Sequence, residues 1–419
     1  LVLLPASAIF FRIKSVQPVP PIVPDISTVV VTPSPTFTPA RIPETISIED
    51  GPLKDSIIAA GDYLVRQQLA NGELPYQVDF MSGERAYSPS YVRLVAGTGS
   101  IYTVCRVSGN SKYCDAGDSA LDHYLEFLVS DPEKFKGICL YTDGSCQLSG
   151  SALTVDAIYK RWQGTANFFL KDTNLLNTAV DLGYFIISMR KPEGDFYHSF
   201  DPHFEGTVNP DYFAAFSAGE ALLALMELYE MTGNDFWLTQ AREVNAYMIT
   251  QPVTEDHWHS YAFSMLARLS ELTGADKEYA VGIANTVING QVRSLDPRNT
   301  SIATATKVES LAALAQAFYL SGEEHEWLDS ELRAFTTFVQ ARQLPANNCN
   351  WEISKDMTAG YGGGIFSSCE DASIRIDGIQ HWVNGVTAYL EYQSMIRLCL
   401  LYTSPSPRDR TRSRMPSSA

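Results

Sequence analysis

The chain has 419 residues, 45% apolar and 19% charged, and a formal charge of −17. That length suffices for one large domain or two medium ones with a sizeable core. The acidic balance argues against nucleic acid or anionic lipid as a partner, because both reward clustered Lys and Arg.

Residues 1–11, LVLLPASAIFF, are apolar and run into Arg12 and Lys14. The stretch is too short to span a bilayer by itself, so residues 1–15 read as the end of a signal peptide or membrane anchor. Residues 16–50, rich in Pro, Thr, Ser and Val, read as a semi-extended linker. This order describes a domain tethered outside the cytoplasm, whether secreted, periplasmic or at the cell surface, with membrane contact only through the N-terminal anchor.

From residue 51 helical periods take over. In chain order the expected helices are 54–69, 89–106, 115–129, 151–170, 173–190, 217–232, 235–250, 258–273, 277–289, 306–320, 327–342 and 376–396. The clearest pair lies in SAGEALLALMELYEMTGNDFWLTQAREVNAYMI, residues 217–249. Its first helix carries Leu222, Leu225, Met226 and Tyr229 on one face, and Leu223, Ala224 and Leu228 fill much of the other. A helix apolar almost all round must be buried on every side. The second has a single stripe, Trp237, Ala241, Val244 and Met248, opposite a wet face. It belongs outside, with one side on the core. Gly233 supplies the left-handed C-cap, and Asn234 or Asp235 can cap the helix that follows. Six such pairs of inner and outer helices predict an all-α protein.

Six of the seven cysteines fall into close pairs, Cys105 with Cys114, Cys139 with Cys146 and Cys349 with Cys369. Local pairing of this kind predicts three disulfides and an oxidising compartment. Residues 399–419, CLLYTSPSPRDRTRSRMPSSA, lack periodicity and resemble a translated sequencing adapter. They are set aside as a non-native tail, leaving 51–398 as the domain.

Connections from inner to outer helices are short, as in TGND at 232–235 and TGADK at 273–277. Those from outer to inner are mostly long: 70–88, 130–150, 191–216, 290–305 and 343–375. Antiparallel hairpins closing into a ring would gather all the long loops on one face, where binding and catalysis usually reside. This repeat order resembles the (α/α)6 barrel, or toroid, of the six-hairpin glycosidase superfamily, and the strings AGEALLAL, LYEMTGN, EDHW and RIDGIQH resemble those of bacterial members. The resemblance implies a carbohydrate-binding funnel at the N-terminal ends of the inner helices, and in many members a pair of catalytic carboxylates there.

Residues expected at that mouth divide by chemistry. The acid and base candidates are Asp377, Glu309, Glu220, Asp211 and His381. Ser217-x-x-Glu220 and Thr306-x-x-Glu309 also match the capping box, which would make both glutamates mere helix starts. Arg375, Asp377, Gln380 and His381 lie within a turn or so of one another on an otherwise apolar helix, where unpaired charge is costly. Expected substrate contacts are Tyr87, Arg93, Tyr212, His257, Trp258, Trp351, Arg375 and Gln380. Arg85, Arg93, Lys307 and Arg375 beside helix N-termini favour an anionic group such as a uronate. Aromatic loop residues suit the apolar faces of sugar rings, or else pin the loops down.

No metal or other cofactor is expected. His257 and His259 face apart on a helix, and the carboxylate-rich loop 193–206 lacks EF-hand spacing. Neither a GxSxG elbow nor a P-loop is present, and GYGGGIF at 360–366 follows no predicted strand. Three functions fit these residues: a glycoside hydrolase using two carboxylates, which the reading prefers; a uronic-acid epimerase or lyase with His381 or a Tyr as base; and a non-catalytic glycan-binding or envelope protein.

Overall fold

The computed structural model describes residues 48–87, 90–164, 173–201, 207–290, 299–323 and 325–403. The apolar start, nearly all of the Pro-rich linker and residues 404–419 therefore lie outside the described residues. So do His203, Phe204 and Glu205 of the acidic loop.

The helices are α1 (Pro52–Gln67), α2 (Tyr91–Ser108), α3 (Ser111–Leu125), α4 (Leu148–Gly164), α5 (Thr173–Ser188), α6 (Ser217–Thr232), α7 (Asp235–Met248), α8 (His257–Leu269), α9 (Gly274–Asn289), α10 (Ser301–Leu320), α11 (Glu326–Gln340), α12 (Lys355–Tyr361) and α13 (Ile376–Thr403). Inner helices α2, α4, α6, α8, α10 and α13 each pack on the next, and α13 returns to α2, so the ring closes. Outer helices sit in the outside grooves: α1 on α2 and α13, α3 on α2 and α4, α5 on α4 and α6, α9 on α8 and α10. Helix α7 packs on α6, and α11 on α10 and α13. This is the all-α toroid that the periods predict.

The local reasons hold as well. Helix α6 is buried nearly throughout, whereas in α7 burial follows the stripe Trp237, Ala241 and Val244. Between them Gly233 takes φ 63°, and the Asn234 side chain accepts from the Phe236 N–H. The three expected disulfides form. Helix α13 continues into the segment set aside as a tail, ending at Thr403.

Two small sheets are what the periods did not reveal. The first, in the order β2-β1-β9-β8, joins β1 (Gln77–Asp79) and β2 (Arg85–Ala86) to β8 (Phe366–Ser368) and β9 (Asp371–Arg375). The second, β3-β4-β5-β6-β7, runs through β3 (Leu128–Val129), β4 (Cys139–Thr142), β5 (Ser145–Gln147), β6 (Ser199–Asp201) and β7 (Thr207–Val208). The expected helix 115–129 ends at Leu125, and β3 takes 128–129; every other strand lies in a long outer-to-inner connection, and all are too short for a period of two to register. Both sheets therefore stand on the face where the inner helices begin.

Inside the ring the axis is polar. Asp156 on α4 accepts from Lys160 at 2.8 Å. Deeper still, Glu230 takes both arms of Arg268 and the Tyr159 hydroxyl at 2.5–2.6 Å, and Arg106 meets Glu391 at 2.6 Å. Glu227 is buried beside Asp156; its burial and that neighbouring carboxyl push its pKa well up, so it keeps its proton. Buried charge is tolerated here because it is paired or neutralised. The column fills the end of the barrel away from the starts of the inner helices.

Candidate active site

The mouth is built from the first turns of the inner helices. Asp256 caps α8, its Oδ1 accepting from the backbone N–H groups of Trp258 and His259. That places His257 at the first position of α8. On the neighbouring α10, Glu309 lies more than two turns in and is fully buried. On α13, His381 follows from the turn that begins at Asp377.

These three side chains converge. His381 Nδ1 lies 2.6 Å from Glu309 Oε2, and His257 Nε2 lies 3.7 Å from the same oxygen. Glu309 Oε1 accepts from the Tyr261 hydroxyl at 3.3 Å and from Gln380 Nε2 at 3.5 Å. The two imidazoles stand edge to face with centroids 4.9 Å apart. Both ring nitrogens of His257 lack a hydrogen-bond partner although the residue is 2% exposed. Burial holds its pKa well below the ordinary histidine value, with His381 adding to the effect, so His257 is neutral. Burial pushes the Glu309 carboxyl up, and the nearby His381 opposes that shift.

Gly385 on α13 permits this meeting. A Cβ there would fall 2.9 Å from the Glu309 backbone nitrogen and 3.1 Å from its Cγ. Gly219 does the same on the other side, since a Cβ would come within 2.2 Å of Asp256 Oδ2. Glycine at both points lets α6 and α13 close on the site.

Glu220 forms the second acidic element. It is buried, its Oε2 has no partner, and burial raises its pKa to about 7, with Ser149 opposing and Asp256 adding to the rise. Burial likewise lifts Asp256 to about 7. A raised carboxyl favours the folded state while protonated, so this contribution is lost as pH climbs from the unfolded value, about 4.5, through 7. His257 and His259 have the opposite sign, because their depressed values favour folding above the ordinary histidine pKa. The difference between variants isolates one group: Glu220→Gln should gain stability over the native protein between pH 5 and 8, by at most about 3 kcal/mol. Thermal denaturation of both proteins across that range checks this, and a constant offset would contradict it.

The capping-box reading of both glutamates is corrected. Helix α6 has Phe216 at its N-cap with no side-chain cap, and α10 starts at Ser301 behind Thr300, well before Thr306. Neither glutamate closes a capping box, so both stay candidates for the site.

Other expectations separate. Asp377 is buried, but Arg93 Nε lies 3.0 Å from its Oδ2, and Arg375 grips both oxygens. Both arginines also lie over the Tyr76 ring. Asp377 thus organises the rim and is no free acid. Asp211 is exposed on a loop and takes no part in the cluster. Lys307 turns away to Glu255 and the Val287 carbonyl, and Arg85 bonds Gln67. Trp258 is buried against His257, and Trp351 packs between Phe80 and Phe366. Both tryptophans hold the scaffold. Tyr87 and Tyr212 are exposed, as substrate contacts require. His259 faces outward, its Nε2 2.8 Å from Asn245 Oδ1.

Sequence reasoning missed Ser149, whose Oγ lies 2.6 Å from Ser217 Oγ, as well as Tyr261 and Phe216. It also missed the axial column. Its signal is present, since Glu220 and Glu227 are seven residues apart on a helix otherwise apolar all round. Three ligand atoms, from His257, Glu309 and His381, lie within 4.8 Å of one another and could hold a metal ion.

No protein-family model and no curated protein matches the sequence. Solved structures do match in fold. An unsaturated glucuronyl hydrolase specific for heparin aligns over 81% of this chain and 97% of its own, at 12% identity and TM-score 0.57. Cellobiose 2-epimerase from Bacillus thermoamylovorans covers 80% and 98%, at 11% identity and TM-score 0.57. A D-mannose isomerase covers 80% and 95%, at 12% identity and TM-score 0.59. Likeness at such identity speaks for architecture alone. The chain shares the (α/α)6 barrel fold of these structures.

Proposed function

We propose that the protein is a carbohydrate-active enzyme that moves a proton on a sugar, as an epimerase or isomerase of a reducing end. The observation that carries this is His257, buried with both ring nitrogens unpartnered and facing a second histidine held by Glu309. An orphaned polar group in a buried site calls for a partner the protein does not supply, and here a sugar hydroxyl or carbonyl fits.

In the proposed step one imidazole takes the proton from the carbon next to the carbonyl, and the carbonyl oxygen gains a proton, giving an enediol. Return of a proton to the opposite face of that carbon, with loss of the proton the carbonyl oxygen had gained, yields the epimer; return to the former carbonyl carbon, with loss of the proton on the adjacent hydroxyl, yields the ketose. His381 suits the base role because Glu309 fixes its tautomer and stabilises the imidazolium. Neutral His257 serves as the second acid or base. Solved structures of the same fold include hydrolases as well as epimerases and isomerases, so this choice rests on the side chains. Because both rim arginines are spent on Asp377, a neutral sugar is favoured over a uronate. Three disulfides support a location outside the cytoplasm.

A second reading has its own support. Glu220, with a pKa of about 7 and an unpartnered oxygen, has the character of a general acid, and with Glu309 it would make a hydrolase. Incubation with glucose, mannose and cellobiose in D2O, followed by NMR, separates the two. Deuterium at carbon 2 with a new epimer or ketose is expected; glycosidic cleavage without exchange would establish the hydrolase instead. The exchange should survive EDTA. Loss that a divalent metal restores would assign the His257, Glu309 and His381 cluster to metal binding.

A further inference from the structure

We infer that His257, Glu309 and His381 together form a site for a single Zn2+ ion, and that an ion held there blocks proton transfer by occupying its acid–base groups. The inference rests on the proposed reaction and names a means of regulating that same site.

In sequence the neighbour of His257 is His259, but that ring is turned to Asn245. The partners of His257 come instead from α10 and α13, where Glu309 Oε2 lies 3.7 Å from His257 Nε2 and 2.6 Å from His381 Nδ1. All three ligand atoms lie within 4.8 Å of one another. A tetrahedral zinc shell with bonds of about 2.0–2.1 Å sets neighbouring ligand atoms about 3.3 Å apart, so the two contacts to Oε2 fall on either side of that spacing. Small turns of the imidazoles would close the shell. Two imidazoles and one carboxylate are also the donor set of zinc sites that keep a fourth position open. They suit Ca2+ or Mg2+ poorly, because those ions take oxygen ligands.

Burial points the same way. Both ring nitrogens of His257 lack a hydrogen-bond partner although the residue is 2% exposed, so a buried polar ring stands ready for a ligand. On the carboxylate, Tyr261 and Gln380 hold Oε1 at 3.3 and 3.5 Å, which leaves Oε2 for the ion. His257 has no such outer partner, and loss of one weakens metal binding by about 10–100-fold. Capture should therefore be reversible, as regulation requires.

Inhibition follows from where the protons sit. The contact with Glu309 holds a proton on His381 Nδ1 and leaves Nε2 free as the base. Coordination through Nδ1 moves that proton to Nε2, and coordination through His257 Nε2 takes the nitrogen that the second acid or base would use. Neither imidazole can then exchange a proton with the sugar.

Calorimetric titration of the full chain with Zn2+, and with Co2+ as a probe of visible absorption, tests this beside deuterium exchange at carbon 2. One equivalent of zinc should bind with a dissociation constant of about micromolar order, and exchange should fall with occupancy and return on adding EDTA. Mg2+ and Ca2+ should do neither. His257→Ala and Glu309→Gln, their folding checked by circular dichroism, should each weaken zinc binding about tenfold or more. Affinity unchanged in both folded variants, or no zinc binding by the native protein, would overturn the site. Exchange that bound zinc leaves untouched or accelerates overturns the inference while the proton-transfer reading stands. Zinc held by the native protein and lost in both variants, with no exchange on any sugar, supports the site and overturns the proton-transfer reading.

Discussion

Replacing Glu309 by Gln is expected to lower turnover by about 10²–10⁴-fold, the usual range for loss of a positioned acid–base group. The amide is nearly isosteric, and burial already disfavours the carboxylate, so the folded protein should survive the change. What it loses is the negative oxygen, 2.6 Å from His381 Nδ1, that fixes the tautomer and offsets the charge on the imidazolium. His381→Asn should cost as much, and the double variant little more than either single change, because the two act as a unit. His257→Asn removes the opposing acid or base and should abolish deuterium exchange at carbon 2. Steady-state kinetics on the sugar that exchanges, with circular dichroism to confirm folding, measures all four proteins. Retention of native kcat within threefold by Glu309→Gln would remove the dyad from the mechanism.

Trp382→Ala should destabilise the fold by about 3–5 kcal/mol, the range for emptying a buried large aromatic site. Trp382 follows His381 on α13 and is fully buried. Its indole N–H donates to Ser56 Oγ at 2.9 Å, and that hydroxyl donates to Gln343 Oε1 at 2.5 Å. Gln343 in turn donates to the carbonyls of Ser56 and Gly363. The last inner helix, the first outer helix and the final long connection therefore meet at one side chain, where the ring closes. Trp382→Phe keeps most of the volume and loses one buried hydrogen bond, so its cost should be smaller, about 1–2 kcal/mol. Urea denaturation provides the comparison. A change under 1 kcal/mol for the Ala variant would mean that closure does not depend on this junction.

The helical hairpins were legible because each inner helix is apolar all round and each outer helix on one stripe, and both periods are local. Gly233 and Asn234 marked their turn for the same reason: a left-handed C-cap and an N-cap need only neighbours in the chain. Even so, the boundaries erred where a local motif competed with packing. Thr306-x-x-Glu309 matches a capping box, yet α10 begins at Ser301, where the Thr300 side chain accepts from Ala303 N–H. The strands of the two sheets escaped because segments of two to five residues carry too few alternations to register.

The site was legible as an inventory and not as an arrangement. Glu309, His381, His257, Asp377 and Arg93 could each be named, because charge on a buried apolar helix is costly and so conspicuous. Their partners could not, since Glu309 and His381 are 72 residues apart and meet only through the crossing of α10 and α13 at Gly385. The same crossing geometry gave Asp377 to two arginines, turned Lys307 away from the mouth and left the His257 ring without a partner. By itself, then, the sequence determined the repeat, the cysteine pairs and the face on which the long loops gather, all properties of short-range period and loop length. Which acid stays free, which is neutralised and which histidine meets which carboxylate were decided by the closed ring, because burial and charge pairing depend on residues that the chain brings together only after every hairpin has packed.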